Sequence, residues 1–429
     1  MAISLVTPAA RRIALAVSLL AAFPLAYFSV RAALAEHFAE QDAPQGLERA
    51  IRLEPEDAEA WHLLGRYWHY NFEQQDVTRA VSCYQHALAI NPRAAEVWLD
   101  LAQAYEDEGR MEEASSAYRA ARNAYPVSAE ISWREGNYLL RQGKTAPAFA
   151  DFRRAVSGQP LLAAAVASRC WQASPDADSI LSSALPPTPE AYLAALQFFL
   201  DEGQTEAALA AWERLRAVAR ELPLKDSFPL QDALIRAGRI QDARRVWEQA
   251  RSLAGTPEPP REQGSLVWDG GFQTDFTQGG FGWRVQPLPD FQAEFDKGNK
   301  HSGARALRIR FDGKANLDFG HVFQYVAVEP ETAYQLSGWL RTNDISTDSG
   351  LRLFAYDPSN LRISGMTPDL TGTEPWTHLQ LTLTTGRGTR VLLLCVKRVP
   401  STKLDNKLRG TVWVDDVTLI PVGTAGKMR

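Results

Sequence analysis

The residues best equipped for chemistry are an adjacent pair of aspartates, two histidines, and aromatic residues alternating with polar ones late in the chain. Asp415 and Asp416 invite reading as an acid/base pair. Glycoside hydrolysis, however, needs two carboxylates flanking one bond, and neighbours on a strand point to opposite faces. His62 and His69, in HLLGRYWH, stand two helical turns apart. Zinc takes three or four ligands, and nothing nearby supplies a third at a recognised spacing. Cys83, Cys170 and Cys395 are too few and scattered for a disulfide framework or a four-thiolate site. The chain has no GxSxG, HExxH, P-loop or dinucleotide fingerprint in a usable context, and no phosphate-cradling helix follows GGFGW. What remains is recognition chemistry. Sugar rings offer apolar C–H faces and a fringe of hydroxyls, so their sites combine flat rings with polar groups. Trp339, Phe354 and Tyr356, interleaved with Gln335, Arg341 and Arg352, are such a set. The chain is expected to bind rather than catalyse.

The elements that must position these residues follow from composition and period. The chain has 429 residues, 45% hydrophobic and 23% charged, which predicts two or three folded domains. A formal net charge of -5 excludes a nucleic-acid binder that works by neutralising phosphates. From Ile13 to Val30 the chain carries no charge, with Arg11 and Arg12 before the run and Arg31 after it. That length suits a membrane-spanning helix, and positive charge on its amino-terminal side should keep that side cytoplasmic and send the bulk outward. The alternative is a signal peptide cleaved near Ala33-Leu34-Ala35, leaving a secreted protein. The expected organisation is an anchor over 1–35, a helical domain over 36–254, a proline-rich linker over 255–265, a β-sandwich over 266–422 and a tail over 423–429.

The helical domain has a period. Pro55, Pro92, Pro126 and Pro160 each follow an amphipathic run, and each unit reads as two helices. First helices carry Trp61, Leu64, Gly65 and Trp68, then Trp98, Leu101, Ala102 and Tyr105. Second helices carry Ala80, Tyr84 and Ala87, then Ala114, Tyr118 and Ala121, then Ala148, Phe152 and Ala155. Small residues let two helices approach while one aromatic ring fills the gap between them. Gly109 and Gly143 should end first helices and the prolines second ones.

These positions over residues 58–160 resemble tetratricopeptide repeats, with an insertion at Asn71-Phe72-Glu73 and a departure at Glu135, which stands where the pattern has leucine. The resemblance implies an α-helical solenoid whose first helices line a groove for a protein or peptide. By position that groove would carry His62, Arg66, His69, Tyr70, Gln103, Trp133, Asn137 and Arg141. Of the family's basic clamp for a terminal carboxylate only Asn137 is present, so that role is not carried over.

After Ser265 the apolar period changes from about 3.6 to 2. ALRIRF, YQLSGWL, LRLFAY, HLQLTLT and TVWVDDVTLI alternate faces, which predicts an antiparallel β-sandwich or jelly roll. With Tyr334, Leu336 and Leu340 inward, Gln335, Trp339 and Arg341 face out; with Leu351, Leu353 and Ala355 inward, Arg352, Phe354 and Tyr356 do. The order WDGGF, GW, HSGARALRI, EPWTHLQLTL and GTVWVDDVTL resembles the carbohydrate-binding jelly rolls of the galactose-binding-like class. That resemblance implies a polysaccharide ligand on those six residues. It also implies a structural calcium held by Asp269 and Asp416, and no other cofactor. The whole then reads as a membrane-anchored envelope adaptor, gripping a protein with its repeats and a glycan with its sandwich, in polysaccharide assembly or export. The alternatives are a docking scaffold whose jelly roll has no sugar site, and an accessory subunit of a glycan-processing enzyme.

Overall fold

The computed structural model of the protein describes residues 8–40, 43–260, 262 and 264–422; the expected tail 423–429 lies outside them. The chain divides into two compact units, Met1–Pro186 and Pro187–Arg429.

The first unit opens with α1 (Pro8–Ala39), followed by α2 (Pro44–Leu53), α3 (Ala58–Tyr70), α4 (Val77–Ile90), α5 (Ala95–Asp107), α6 (Met111–Ala124), α7 (Ala129–Arg141), α8 (Thr145–Gly158), α9 (Ala163–Ala173) and the short α10 (Ala177–Ser179). Apolar side chains of α1 such as Leu20 and Phe23 are exposed, and the helix is long and apolar enough to cross a membrane. Its carboxy-terminal end is different. Ala35 is buried with Leu47, Ala50 and Ile51 of α2, so α1 runs on to become the packing partner of the first repeat.

The repeat boundaries have local causes. α2, α4, α6 and α8 each end two residues before Pro55, Pro92, Pro126 or Pro160, where a missing N–H and a fixed φ stop the helix. Gly109 and Gly143 end α5 and α7 with φ of 74° and 70°, and the next N–H groups, of Arg110 and Lys144, bond back to Tyr105 and Leu139 at 2.8 and 2.9 Å. Between α3 and α4 the inserted Asn71 accepts from the N–H groups of Glu73 and Gln74. Size alternation sets the packing inside each pair. A Cβ on Gly65 would lie 2.6 Å from the Tyr84 ring, and one on Gly136 2.8 Å from that of Phe152.

The second unit starts with α11 (Pro189–Asp201), α12 (Thr205–Val218), α13 (Phe228–Arg236) and α14 (Ile240–Leu253). Ten strands follow: β1 (Arg284–Val285), β2 (Phe291–Asp296), β3 (Ala306–Asp312), β4 (Phe319–Ala327), β5 (Ala333–Asn343), β6 (Arg352–Asp357), β7 (Asn360–Met366), β8 (Thr377–Thr384), β9 (Val391–Arg398) and β10 (Arg409–Pro421). They form two antiparallel five-stranded sheets, β1-β4-β9-β6-β7 and β2-β3-β10-β5-β8. Alternate residues of both sheets, including Leu307, Leu336, Leu353, Leu392 and Val412, fill the core between them.

The boundary expected at 255–265 is corrected. The ring of Phe228 fills the space a Cβ on Gly279 would take, Trp247 meets Trp268 edge-on at 5.5 Å, and Arg284 grips Asp232 with two bonds of 2.5 and 3.0 Å. α13 and α14 therefore belong to one unit with the sandwich. The proline-rich stretch marks where the backbone period changes, not where packing stops.

Candidate functional site

In the first unit α5 supplies carboxylates and its neighbours supply the cations that cover them. His62 and His69, expected to line the groove, are buried instead. His62 Nε2 lies 2.9 Å from Asp100, and His69 Nε2 lies 2.9 Å from Asp107, so the two imidazoles brace α3 against α5. Burial pushes the Asp100 carboxyl up, but the His62 bond and the charges of His62, Arg134 and Arg66 outweigh it and hold it below the usual range. Arg66 lies 3.8 Å from Asp100, Arg134 lies 3.3 Å from it, and Arg141 lies 2.6 Å from Glu106. Arg66, Tyr70 and Arg141 are exposed, while Gln103, Trp133 and Asn137 are half-buried. Asn137 donates to the Trp133 carbonyl at 2.8 Å, and Gln103 donates to Asp107 at 3.0 Å. Six of the eight expected groove residues thus reach the surface. Glu135 replaces leucine packing with a buried ionic cluster, reaching Arg122, which also meets Asp151.

In the second unit the six aromatic and polar residues are not brought together. Gln335, Trp339 and Arg341 lie on β5, and Arg352, Phe354 and Tyr356 lie on β6, in different sheets. Alternation did predict which of them point outward. Because the chain hops from one sheet to the other between β5 and β6, the two outward sets occupy opposite faces of the sandwich.

On the first sheet β4, β9, β6 and β7 set Phe323, Cys395, Phe354 and Met366 side by side in one row and Tyr325, Leu393, Tyr356 and Ser364 in the next. Phe354 and Tyr356 stack at 5.0 Å, and Phe323 meets Tyr325 at 5.9 Å. The four rings are half-buried, and they close over Leu393 and Cys395, which are buried. Ion pairs of Arg352 with Asp369 and of Lys397 with Asp318 give the rows a polar margin.

On the other sheet a cleft of about 430 Å³ is lined by Ser265, Gln273, Ser302, Trp339, Asp416 and Thr418, among others. His301 stacks on Trp339 at 3.9 Å and covers one face of the indole, while its Nδ1 lies 2.7 Å from Asp416. Asp416 also accepts from the Ser302 hydroxyl at 2.7 Å. Asp415 is buried and accepts from the N–H groups of His301 and Ser302. Burial, reinforced by the charge of Asp416, pushes its carboxyl up to about 6. The backbone here is held in unusual conformations: Asp269, Phe272 and Asp416 have φ of 50°, 54° and 49°, and β10 changes register between Asp415 and Thr418. Gln335 and Arg341 lie apart from the cleft lining, bonded to Gln380 and Asn299.

Asp269 and Asp416, the expected calcium ligands, are each engaged by hydrogen-bond donors. Both oxygens of Asp269 are taken inside its own loop, by the N–H groups of Gln273 and Thr274 and the Thr274 hydroxyl at 2.6–2.7 Å. Between that loop and the next lies the Gln273 amide, donating to the carbonyls of Gly271 and Arg305 and accepting from Ala304 N–H. Among the described residues no three His, Cys, Asp or Glu side chains gather at one point.

Comparison with known families finds tetratricopeptide-repeat models over residues 71–132 and 112–163, so this stretch carries such repeats, whose general use is protein–protein interaction or scaffolding. Among solved structures, YrrB, described as a tetratricopeptide protein with an unusual peptide-binding site, is 16% identical with a TM-score of 0.27, over 50% of this chain and 95% of its own. MamA is 16% identical with a TM-score of 0.25, over 46% and 92%. PilW, described as a widely conserved type IV pilus biogenesis factor, is 16% identical with a TM-score of 0.27, over 54% and 96%. Comparison with curated proteins gives no match.

Proposed function

We propose that this chain is a non-catalytic adaptor tethered to a membrane by α1, which holds a protein partner on its repeats and a glycan on the aromatic face of the first sheet. The single observation that carries the glycan half is the double row Phe323, Phe354 and Tyr325, Tyr356, four half-buried rings on the two strands that flank β9, with charged groups at the margin. Flat rings at this spacing suit the apolar faces of successive sugars, and polar groups at the edge suit their hydroxyls. The arginines ahead of the apolar run of α1 support the reading that the rest of the chain lies outside the cytoplasm, where a polysaccharide being assembled or exported would meet it.

The test is a glycan array with the full chain in lipid nanodiscs. Replacing Phe354 and Tyr356 by Ala should remove retention while near-ultraviolet circular dichroism stays native. If Trp339→Ala removes retention instead, the sugar sits in the cleft of the other sheet. Should the native chain retain no sugar, the sandwich is a docking surface and the glycan reading fails.

A further inference from the structure

On the repeats, three outward guanidiniums cover two deep carboxylates of α5, while Glu130, paired with Arg134 at 2.6 Å, and Asp107 stay partly exposed beside them. The carboxylates come from α5: the side chains of Asp100 and Glu106 are only 10% and 7% exposed. The guanidiniums that pair with them are 55%, 36% and 53% exposed, for Arg66, Arg134 and Arg141. Each ion pair is nominally neutral, but its two ends lie at different depths.

Beyond Arg141 the asymmetry becomes a net charge. A shallow hollow of about 330 Å³ is lined by Asn137, Leu140, Arg141, Arg169, Gln172 and Ala173, with no acidic residue among them. Arg169, on α9, is exposed and has no carboxylate partner among the described residues. Asn137 gives one N–H of its amide to the Trp133 carbonyl and keeps the other, and Arg141 reaches Glu106 through Nε and Nη2, leaving Nη1 for a ligand. Two guanidiniums and two side-chain amides around an apolar floor match a carboxylate carried on a short aliphatic stem. In a chain whose net charge is -5, this positive hollow is a local exception.

We infer that the groove takes an acidic peptide segment, with an aspartate or glutamate side chain seated between Arg141 and Arg169. This rests on the reading of the repeats as a protein-binding surface and adds the chemistry of the partner. A peptide is favoured over an acidic polysaccharide because the hollow is small and has a Leu140–Ala173 floor, which suits a methylene stem better than a hydroxylated ring.

The experiment measures fluorescence anisotropy of the full chain in nanodiscs with labelled peptides of one length and one Ala/Leu pattern, whose variable positions are all Glu, all Gln or all Lys. The Glu peptide should bind and weaken as salt rises; Arg169→Gln should weaken it by about tenfold and Arg169→Glu should abolish it. Arg169 makes no structural ion pair, so neither variant should disturb folding. Equal binding of the Gln peptide, indifferent to Arg169→Glu, would overturn the acidic assignment while leaving a protein-binding groove. Binding of no peptide at all would overturn both. If polygalacturonate displaces the Glu peptide and depends more strongly on Arg169, the peptide assignment falls in favour of an acidic glycan.

Discussion

At the scale of single residues, function depends on groups whose neighbours leave them no freedom. Gly65 is one. Tyr84 is fully buried and cannot swing away, so Gly65→Ala would press a methyl into its ring. Overpacking costs about 1–3 kcal/mol, against about 1 kcal/mol gained in helix propensity, so a net loss is expected in urea unfolding. Adding Tyr84→Leu should recover part of it, which a general intolerance of change at this position would not allow. Asp415 is another. Its folded-state carboxyl is raised to about 6 from an ordinary 3.8, so between those values the folded protein holds a proton that the unfolded chain has lost. Its contribution therefore favours folding most at low pH and declines as pH rises through about 6, by on the order of 3 kcal/mol in all. Carboxyl carbon NMR should show Asp415 titrating near 6, and a midpoint in the ordinary aspartate range would refute this account of the cleft. Only one of the two announced its environment in the sequence. Gly65 was legible because the repeat pattern pairs it with an aromatic one helix later, whereas the burial of Asp415 depends on a loop more than a hundred positions away.

At the scale of elements, the clearest test is the loop that clamps the last strand. Gly270 packs so closely on β10 that a Cβ would lie 1.9 Å from the Val417 carbonyl, and its own carbonyl accepts from Val417 N–H at 2.9 Å. Gly270→Ala must therefore push the loop off the bulge that holds Asp415 and Asp416. A loss of 2 kcal/mol or more is expected in thermal unfolding, while Gly388→Ala, with open space around it, should be close to neutral. Elements were where the sequence was most readable and also where it misled. Helix ends followed from proline and glycine, and strand faces followed from alternation, because both are local consequences of backbone geometry. Pairing is not local. Trp339 and Phe354 lie fifteen positions apart and both point outward, yet β5 pairs with β8 and β10 while β6 pairs with β7 and β9. No alternation pattern states which sheet a strand joins. The groove failed differently: His62 and His69 stand at first-helix positions that face the groove, but aspartates on α5 pulled both rings into the interior. Arg169 escaped the reading because the signature residues of the repeat fade after Pro160, so its helix was never counted as part of the groove.

At the scale of the whole molecule, the question is whether the greasy amino-terminal helix stays attached. A signal peptidase cutting after Ala35 would remove more than an address. Arg31 grips Glu54 with two bonds of 2.8 Å, closing the end of α2, and Ala35 caps the cluster of Leu47, Ile51, Leu64 and Cys83. End repeats in such arrays have a neighbour on one side only, so losing a packing partner exposes a face that nothing else covers. The surface ion pair contributes little by itself, and the lost apolar contact matters more. The helix is therefore expected to be retained: mass spectrometry of the protein from native membranes should recover a peptide spanning the 13–30 segment. A form beginning at Glu36 should show faster amide exchange in α2 and α3 than the full chain, with α7 and α8 unchanged. Native protein starting at Glu36, with α2 and α3 still fully protected, would mean that the packing of α1 on α2 has no part in holding the chain together and that the helix serves only to direct export.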